Sequence, residues 1–377
     1  MTLLDLSAAF YTVDNQILLK RLSITYGISG TALEWFRSYL SDRCQSVSVA
    51  GLLSKYSTLK YSVPQGSVLG PILFIMYTQP LADIVSSHDC YHHAYAGDVQ
   101  LYQSVSMDKS LDLKSLTETC VDDISKWMHS NKLKLNEDKT ESILIKSKQS
   151  KCSSFETLNL GSQVVNLTNK AKNLGVVLDS ELSMSNHISY VCQVSHFKLR
   201  RISKMKKYLT TEACAQLVVS LIFSHIDYCN SILFGINNSL LQRLQKVQNH
   251  AARVVLNKKM RDSARPLLIQ LHWLPIKFRI DFKIACIVYK CLNNQAPSYL
   301  LDLITPYVPA RPLRSQNDPT KLVLPKFKLK TFGYRSFSVA GPTVWNEVPQ
   351  HIRETETFDA FKRQLKTYLF TKFVSET

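Results

Sequence analysis

The chain has 377 residues, 45% of them hydrophobic and 20% charged, which is enough apolar content for a sizeable core and for two or three domains. That balance excludes a disordered or a fibrous protein. The net charge of +17 favours a polyanionic partner, nucleic acid or an acidic membrane, over a solubilising surface, because such surfaces usually mix both signs.

In chain order, TLLDLSAAF opens as a short apolar strand with Asp5 where that strand should end. QILLKRLSITYGI (16–28) and TALEWFRSYLSDR (31–43) have helical periodicity, with Leu33, Phe36 and Leu40 on one face of the second. CQSVSVAG alternates like a strand, and STLKYSVPQG reads as its partner. GPILFIMYTQPLADIVSS is a helix with Pro71 suited to its first turn and Pro80 set to kink or end it. CYHHAYA and VQLYQSV form a hairpin around Gly97 and Asp98. SLDLKSLTETCVDDISKWMHSN is a long amphipathic helix, and TESILIKS and NLGVVLD return as strands. The order of elements predicts an α+β fold, a sheet with helices on one face.

After about residue 185 the character turns helical and basic. HFKLRRISKMKKYL (196–209) carries Lys198, Arg200, Arg201, Lys204, Lys206 and Lys207 and no acid. SLLQRLQKVQNHAARVVL (239–256) is an amphipathic helix. From about residue 261 a third section holds further helices and a proline-dotted stretch (305–325), and ends in TFDAFKRQLKTYLFTKF with Thr357 as a candidate N-cap. The expected domains are therefore 1–184, 185–260 and 261–377.

Nine cysteines, an odd number with no CxxC pair, argue for reduced thiols rather than a disulfide framework or a zinc site. The N-terminus has no basic n-region and carries Asp5, so it does not read as a signal peptide. No stretch approaches about 18 uninterrupted apolar residues, so no transmembrane helix and no membrane partner are expected. These features fit an intracellular location, nuclear or cytoplasmic.

Four segments carry the chemistry. Asp5 ends a strand, SVPQGSVLGPILF (62–74) is a glycine-bearing turn into a helix, Asp98 sits at a hairpin tip, and LKLNEDKTESILI (133–145) sets Lys139 before a strand. A strand-end acid and a hairpin-tip acid on adjacent strands can hold divalent ions through hard oxygen ligands, and two such ions serve phosphoryl transfer. Each segment alone fits a cap or a turn as well. Their order and spacing together are far more specific.

Together these segments resemble the reverse transcriptase of non-LTR, LINE-type, jockey-like retrotransposons. LLDLSAAFYTVDNQILLKRL is similar to the first catalytic motif, SVPQGSVLGPILF to the nucleotide-contacting motif, YAGDVQLY (95–102) to the motif usually written YADDTQLY, and WMHSNKLKLNEDKTESILI to the fourth. AKNLGVVLDSELSMSNHI resembles the approach to the thumb, and HIDYCNSILFG, LHWLP and FSVAGPTVWNEVP resemble stretches that follow the polymerase. The resemblance implies a partial palm, a helical thumb and a mainly helical C-terminal region. It implies RNA template, DNA primer and deoxynucleotides as partners and Mg²⁺ or Mn²⁺ as cofactor. Asp5, the Leu6 carbonyl and Asp98 would hold metal. Phe10 would lie under the deoxyribose, Gln65 and Gly66 would contact the nucleotide, and Lys139 would lie near the pyrophosphate. The basic residues 198–207 would meet the phosphates of the duplex; a solvated helix face is the bland alternative.

Two positions depart from the family pattern. Gly97 stands where the principal metal-binding aspartate is usual, and Tyr11 stands where an aspartate follows AF. The chain also begins close to the first motif, which implies an N-terminally truncated polymerase without fingers. The expectation is a polymerase by descent with absent or very weak activity. The alternatives are a non-enzymatic nucleic-acid-binding remnant and a translated relic without function.

Overall fold

The computed structural model describes residues 1–7, 9–106, 110–147, 155–160, 163–308, 318 and 320–376. The chain divides into two compact units, Met1–Gly175 and Val176–Thr377. Cys152 and part of the proline-dotted stretch lie outside the described residues. The described cysteines are free thiols.

In the first unit the strands are β1 (Thr2–Leu4), β2 (Leu6–Ser7), β3 (Cys44–Gln45), β4 (Ser48–Val49), β5 (Leu52–Leu53), β6 (Ser57–Thr58), β7 (Tyr91–Tyr95), β8 (Asp98–Tyr102), β9 (Lys134–Leu135), β10 (Glu141–Ser142), β11 (Thr157–Leu160), β12 (Gln163–Asn166) and β13 (Lys170–Asn173). The helices are α1 (Asn15–Ile24), α2 (Gly30–Leu40), α3 (Leu69–Thr78), α4 (Leu81–Ser87) and α5 (Ser110–Ser130). The central sheet has the order β10-β1-β8-β7, and β2 pairs separately with β9. Alternation decides its two faces. Thr2, Leu4, Val99 and Leu101 turn into the core, so Leu3, Gln100 and Tyr102 look the other way.

The core joins that sheet to α1, α3 and α5 through Leu18, Leu22, Phe74, Tyr77, Ile124 and Met128. A polar knot ties the same helices. Arg21 donates to the Tyr77 carbonyl and, at 2.8 Å, to Asn131, while the Tyr77 hydroxyl donates to the Asn131 carbonyl at 2.6 Å. Arg21 also lies over the Tyr77 and Trp127 rings. Pro80 ends α3 as expected, and α4 restarts directly after it. The run Leu69–Ser87 is by length and composition apolar enough to cross a membrane, which sequence inspection does not suggest. Its inner face, Leu73, Phe74, Tyr77, Leu81 and Val85, is core of the first unit, while Val68, Ile72 and Ile75 are exposed.

Among its described residues the second unit holds one strand, β14 (Val176–Asp179), and the helices α6 (Ser185–Met205), α7 (Thr211–Val218), α8 (Ser224–Ile226), α9 (Asn238–Leu256), α10 (Ala264–Gln270), α11 (Ile276–Leu292), α12 (Ser298–Leu301), α13 (Phe337–Glu347), α14 (Gln350–Arg353) and α15 (Phe358–Ser375). Its core runs without a break across residue 260: Leu199 of α6 and Val247 of α9 belong to one cluster with Ile284 of α11, Trp345 of α13 and Phe361 of α15. The sequence boundary at 260 followed a change in composition, whereas the packing joins both sides of it in one core. Thr357 caps α15 as its sequence suggests, accepting from the Ala360 amide at 3.3 Å.

Candidate functional site

β1 pairs with β8 in antiparallel register, Leu3 opposite Gln100 and Leu4 opposite Val99. The ladder ends at that pair: Asp5 is the first residue past β1 and Asp98 is the residue before Val99 on β8, so both acids lie at the same end of the strand pair. Alternation turns Asp98 to the face opposite the Val99 and Leu101 core. Asp98 is not a tip residue, as sequence suggests, but the exposed first residue of β8. The two-residue turn before it is Ala96–Gly97, since Tyr95 pairs with Asp98.

Within that turn Ala96 takes the left-handed φ of +51°. Gly97 does not occupy that region, so the backbone here does not require glycine. A Cβ added at Gly97 would lie 3.6 Å from Ala9 Cβ and 4.0 Å from Leu6 Cβ, ordinary contact distances. An aspartate would fit beside the segment that carries Leu6.

Asp5 is held from the other side. The Asn136 amide donates to the Asp5 carbonyl at 2.9 Å, and Asn136 Nδ2 donates to Asp5 Oδ2 at 3.1 Å. Lys139, on a 3-10 turn (Glu137–Lys139), brings Nζ to 3.4 Å from the same oxygen. The Leu6 carbonyl belongs to β2, whose partner across the strand is Leu135. Lys139 thus meets the Asp5 carboxylate. No sequence signal marks that pairing, because 134 residues separate the two and only the β2–β9 pairing brings them together. Among the described residues no three His, Cys, Asp or Glu side chains converge into a metal-holding group.

Phe10 stacks on Phe74, ring centroids 4.8 Å apart. The Val63 amide donates to the Phe10 carbonyl at 3.0 Å and the Ser62 amide to the Val13 carbonyl at 2.9 Å. These bonds bring the turn bearing Gln65 and Gly66 alongside the first motif. Both residues are exposed, and Gly66 has a φ of +85°, which favours glycine. Gly70 is required for another reason: a Cβ there would meet the Pro64 carbonyl oxygen at 2.7 Å. Tyr11 is exposed.

In the second unit the basic residues do not act alike. Arg200, Arg201, Lys204 and Lys207 are exposed. Arg201 lies over the Phe197 ring and Lys207 over Tyr208. Phe197 is itself exposed, so it supports a cation and does not reach the core; Leu199 does. Lys198 turns its amine to His225, whose pKa burial and then the Lys198 charge hold below the usual range. The Lys206 amine is buried, and burial lowers its pKa. These two leave the expected row of free cations, because helix periodicity turns them toward neighbouring elements of the same unit.

Residues 1–178 match the family profile for reverse transcriptase (RNA-dependent DNA polymerase). The RNA-directed DNA polymerase from mobile element jockey of Drosophila melanogaster is 26% identical over 176 residues, covering 44% of this chain and 18% of the relative. The probable RNA-directed DNA polymerase from transposon BS of the same species is 27% identical over 240 residues, 58% of this chain and 25% of the relative. The chain spans a quarter or less of the length of these curated relatives. Among solved structures, telomerase from Candida albicans in complex with a fragment of telomeric RNA aligns over 72% of this chain and 46% of its own, at 14% identity and a TM-score of 0.33.

Proposed function

From the premise that residues 1–178 are a reverse transcriptase domain, of a family that works with divalent metal ions on a nucleic-acid template, we propose that this chain derives from a mobile-element RNA-directed DNA polymerase and binds nucleic acid with polymerisation absent or very weak. RNA template, DNA primer and deoxynucleotides are the partners this reading assigns. The observation that carries it is Gly97. Asp5 and Asp98 lie at the same end of the β1–β8 pair, and a side chain at position 97 would have room beside Leu6, yet Gly97 supplies no carboxylate there. Mg²⁺ binds weakly where few carboxylates converge. The donors present, Asp5, Asp98 and the Leu6 carbonyl, are a thin set, and Asn136 and Lys139 already engage Asp5.

The test pairs binding with turnover. Gly97→Asp should raise Mn²⁺ affinity, read by electron paramagnetic resonance on the purified chain. Primer extension on an RNA template compares the chain as given, Gly97→Asp and Tyr11→Asp/Gly97→Asp. Restoring a bridging carboxylate should be worth on the order of a thousandfold in rate, about 4 kcal/mol, wherever the rest of the machinery is supplied. Extension by the unmodified chain that Asp5→Ala abolishes would sink the proposal of a defective site.

The nucleic-acid part rests on the exposed cations of α6 and the turn after it. Each phosphate contact steepens the salt dependence of affinity by roughly 0.9 log units per log unit of salt. Arg200→Ala/Lys204→Ala/Lys207→Ala should flatten that slope on a template–primer duplex. An unchanged slope would make these residues a solvated face.

A further inference from the structure

Two free thiols of the first unit stand in contact, and neither the metal nor the phosphate chemistry uses them. Cys90 lies between α4 and β7, and Cys120 lies on the buried face of α5. The Cys90 amide donates to the Val85 carbonyl at 3.3 Å, so the chain turns back over the end of α4. His88 and Asp123 are bonded at 3.0 Å. That bond pins the turn to α5 on the face that Cys120 shares, three residues before Asp123. The thiols then meet: Cys120 donates a hydrogen bond to the Cys90 sulfur, and both line one cavity of about 30 Å³ with Leu101 and Thr117. That is space for about two water-sized molecules.

The two thiols are not alike. Cys90 is half-buried and Cys120 is buried. The hydrogen bond from Cys120 favours the Cys90 thiolate and holds that thiol below the usual range, against burial and the charge of Asp89. The same bond, then burial and the charges of Cys90 and Asp123, push the Cys120 thiol up. One sulfur is set to attack as a thiolate, and its neighbour stays protonated. A reachable thiolate beside a second cysteine is the arrangement that oxidants convert reversibly, because the second thiol resolves the first oxidation product.

We propose that Cys90 and Cys120 are a modification site, a dithiol that hydrogen peroxide oxidises reversibly to a disulfide. The proposal goes beyond the polymerase reading and does not depend on it. The Cys90 thiolate attacks one peroxide oxygen: an S–O bond forms, the O–O bond breaks, and the leaving hydroxide takes up a proton as water. The Cys120 sulfur then attacks the sulfenic sulfur of Cys90: the S–S bond forms, the S–O bond breaks, and the oxygen leaves as a second water with the Cys120 proton. The two thiols lose two electrons and the peroxide gains them. The bond ties α5 to the strand that follows Cys90, and that strand, β7, pairs with β8, which carries Asp98.

The experiment treats the folded full chain with hydrogen peroxide, blocks the remaining thiols with iodoacetamide, and maps the cysteines by mass spectrometry without reduction. Trypsin cuts between the two at Lys114, so the bond joins two peptides, and the joined species is two hydrogens lighter than their sum. That species should dominate the oxidised product, and dithiothreitol should release it. Cys120→Ser should instead leave Cys90 as a sulfenic acid that a 1,3-diketone probe captures, and Cys90→Ser should leave Cys120 an unmodified thiol. The bond closes a loop of about 30 residues, so oxidation should raise the melting temperature of the first unit by roughly 5–15 °C. Peroxide that modifies the exposed Cys44 or Cys229 and leaves Cys90 and Cys120 as thiols overturns the proposal, and that comparison needs no variant to fold. A joined pair with a lowered melting temperature also overturns it, because the bond would then form only in an opened chain.

Discussion

Two carboxylate–cation pairs, one in each unit, show how burial changes what the same chemistry does. In the first unit Lys139 meets Asp5 at 3.4 Å, with the lysine side chain 71% exposed. In the second, Arg353 grips Asp318 with its side chain 2% exposed. Its guanidinium also donates to the Val348 carbonyl at 2.9 Å and to Thr320 Oγ1 at 2.6 Å. Around it Trp345 Nε1 donates to the Thr320 carbonyl, and Asn346 exchanges two bonds with Leu322. The first pair is a loose surface contact whose carboxylate can exchange partners. The second is a fixed fastener that holds Asp318, Thr320 and Leu322 against α13 and α14. The Asp5 pair stays accessible, whereas the Asp318 pair closes the packing around it.

The strongest way to break this contrast is Arg353→Met. It leaves Asp318 without its buried partner and should cost about 3–5 kcal/mol of the second unit's stability, seen as a lowered urea midpoint. Burial pushes the Asp318 carboxyl up, but its bonds to Arg353 and Thr320 outweigh that and hold it below the usual carboxylate range. A depressed carboxyl contributes stability above its unfolded pKa of about 3.9 and loses it as pH falls through the folded value. The Arg353→Met defect should therefore shrink in strong acid. A defect under 1 kcal/mol at neutral pH, on the order of an exposed pair's worth, would show that burial does not separate the two pairs.

A third carboxylate sharpens the comparison from the other side. Asp281 of α11 is pushed up to about 6, chiefly by burial, with Lys277 and Lys372 opposing and Glu347 and Glu376 adding to the rise. Lys372 is itself bonded to Glu347 at 3.0 Å. Here the folded pKa lies above the unfolded one, so the favourable contribution is complete below about pH 4 and lost as pH rises through about 6. Asp281→Asn should then stabilise the second unit by about 2 kcal/mol at pH 7 and have little effect near pH 4. Thermal melts at both pH values check this, and equal effects at both would remove burial of charge as the cause.

The smallest effect belongs to Lys139→Met. An exposed pair contributes about 0–1 kcal/mol, so the first unit's melting temperature should move little. What should change is the availability of the Asp5 carboxylate. In the Gly97→Asp background, Mn²⁺ should bind more tightly once the competing ammonium is gone, unless the lysine has no hold on Asp5 in solution. A large loss of stability would mean that Lys139 fastens the fold as Arg353 does.

Much of the first unit was legible in sequence because its signals are local. Period-two alternation gave the hairpin, the helical periodicity gave α1, α2 and α5, and Pro80 gave the break between α3 and α4. Leu4 is buried because β8 and β10 flank β1 on both sides, a pairing that no local signal in TLLDLSAAF could announce. Hairpin β11–β12 had no clear signal, since its strands are short and polar in part. The order of the four motif segments was enough to point to the reverse transcriptase profile that residues 1–178 match.

The sequence by itself determined which residues carry charge, which rings and carboxylates exist, and in what order they come, because these are properties of the chain. Only the tertiary structure decided how they meet. Thr357 could be read as a cap because a cap acts on its own next turn. Lys139 could not be assigned to Asp5, nor Arg353 to Asp318, because each pair is joined by the packing of elements far apart in the chain. The same limit applies to the basic run: its composition is plain, but helix rotation buries the Lys206 amine and sends Lys198 to His225. At position 97 the sequence supplied a glycine, and a turn made that residue look conformational. The fold puts the left-handed strain on Ala96 and leaves room beside Leu6, so the shape of the turn does not require a glycine at 97.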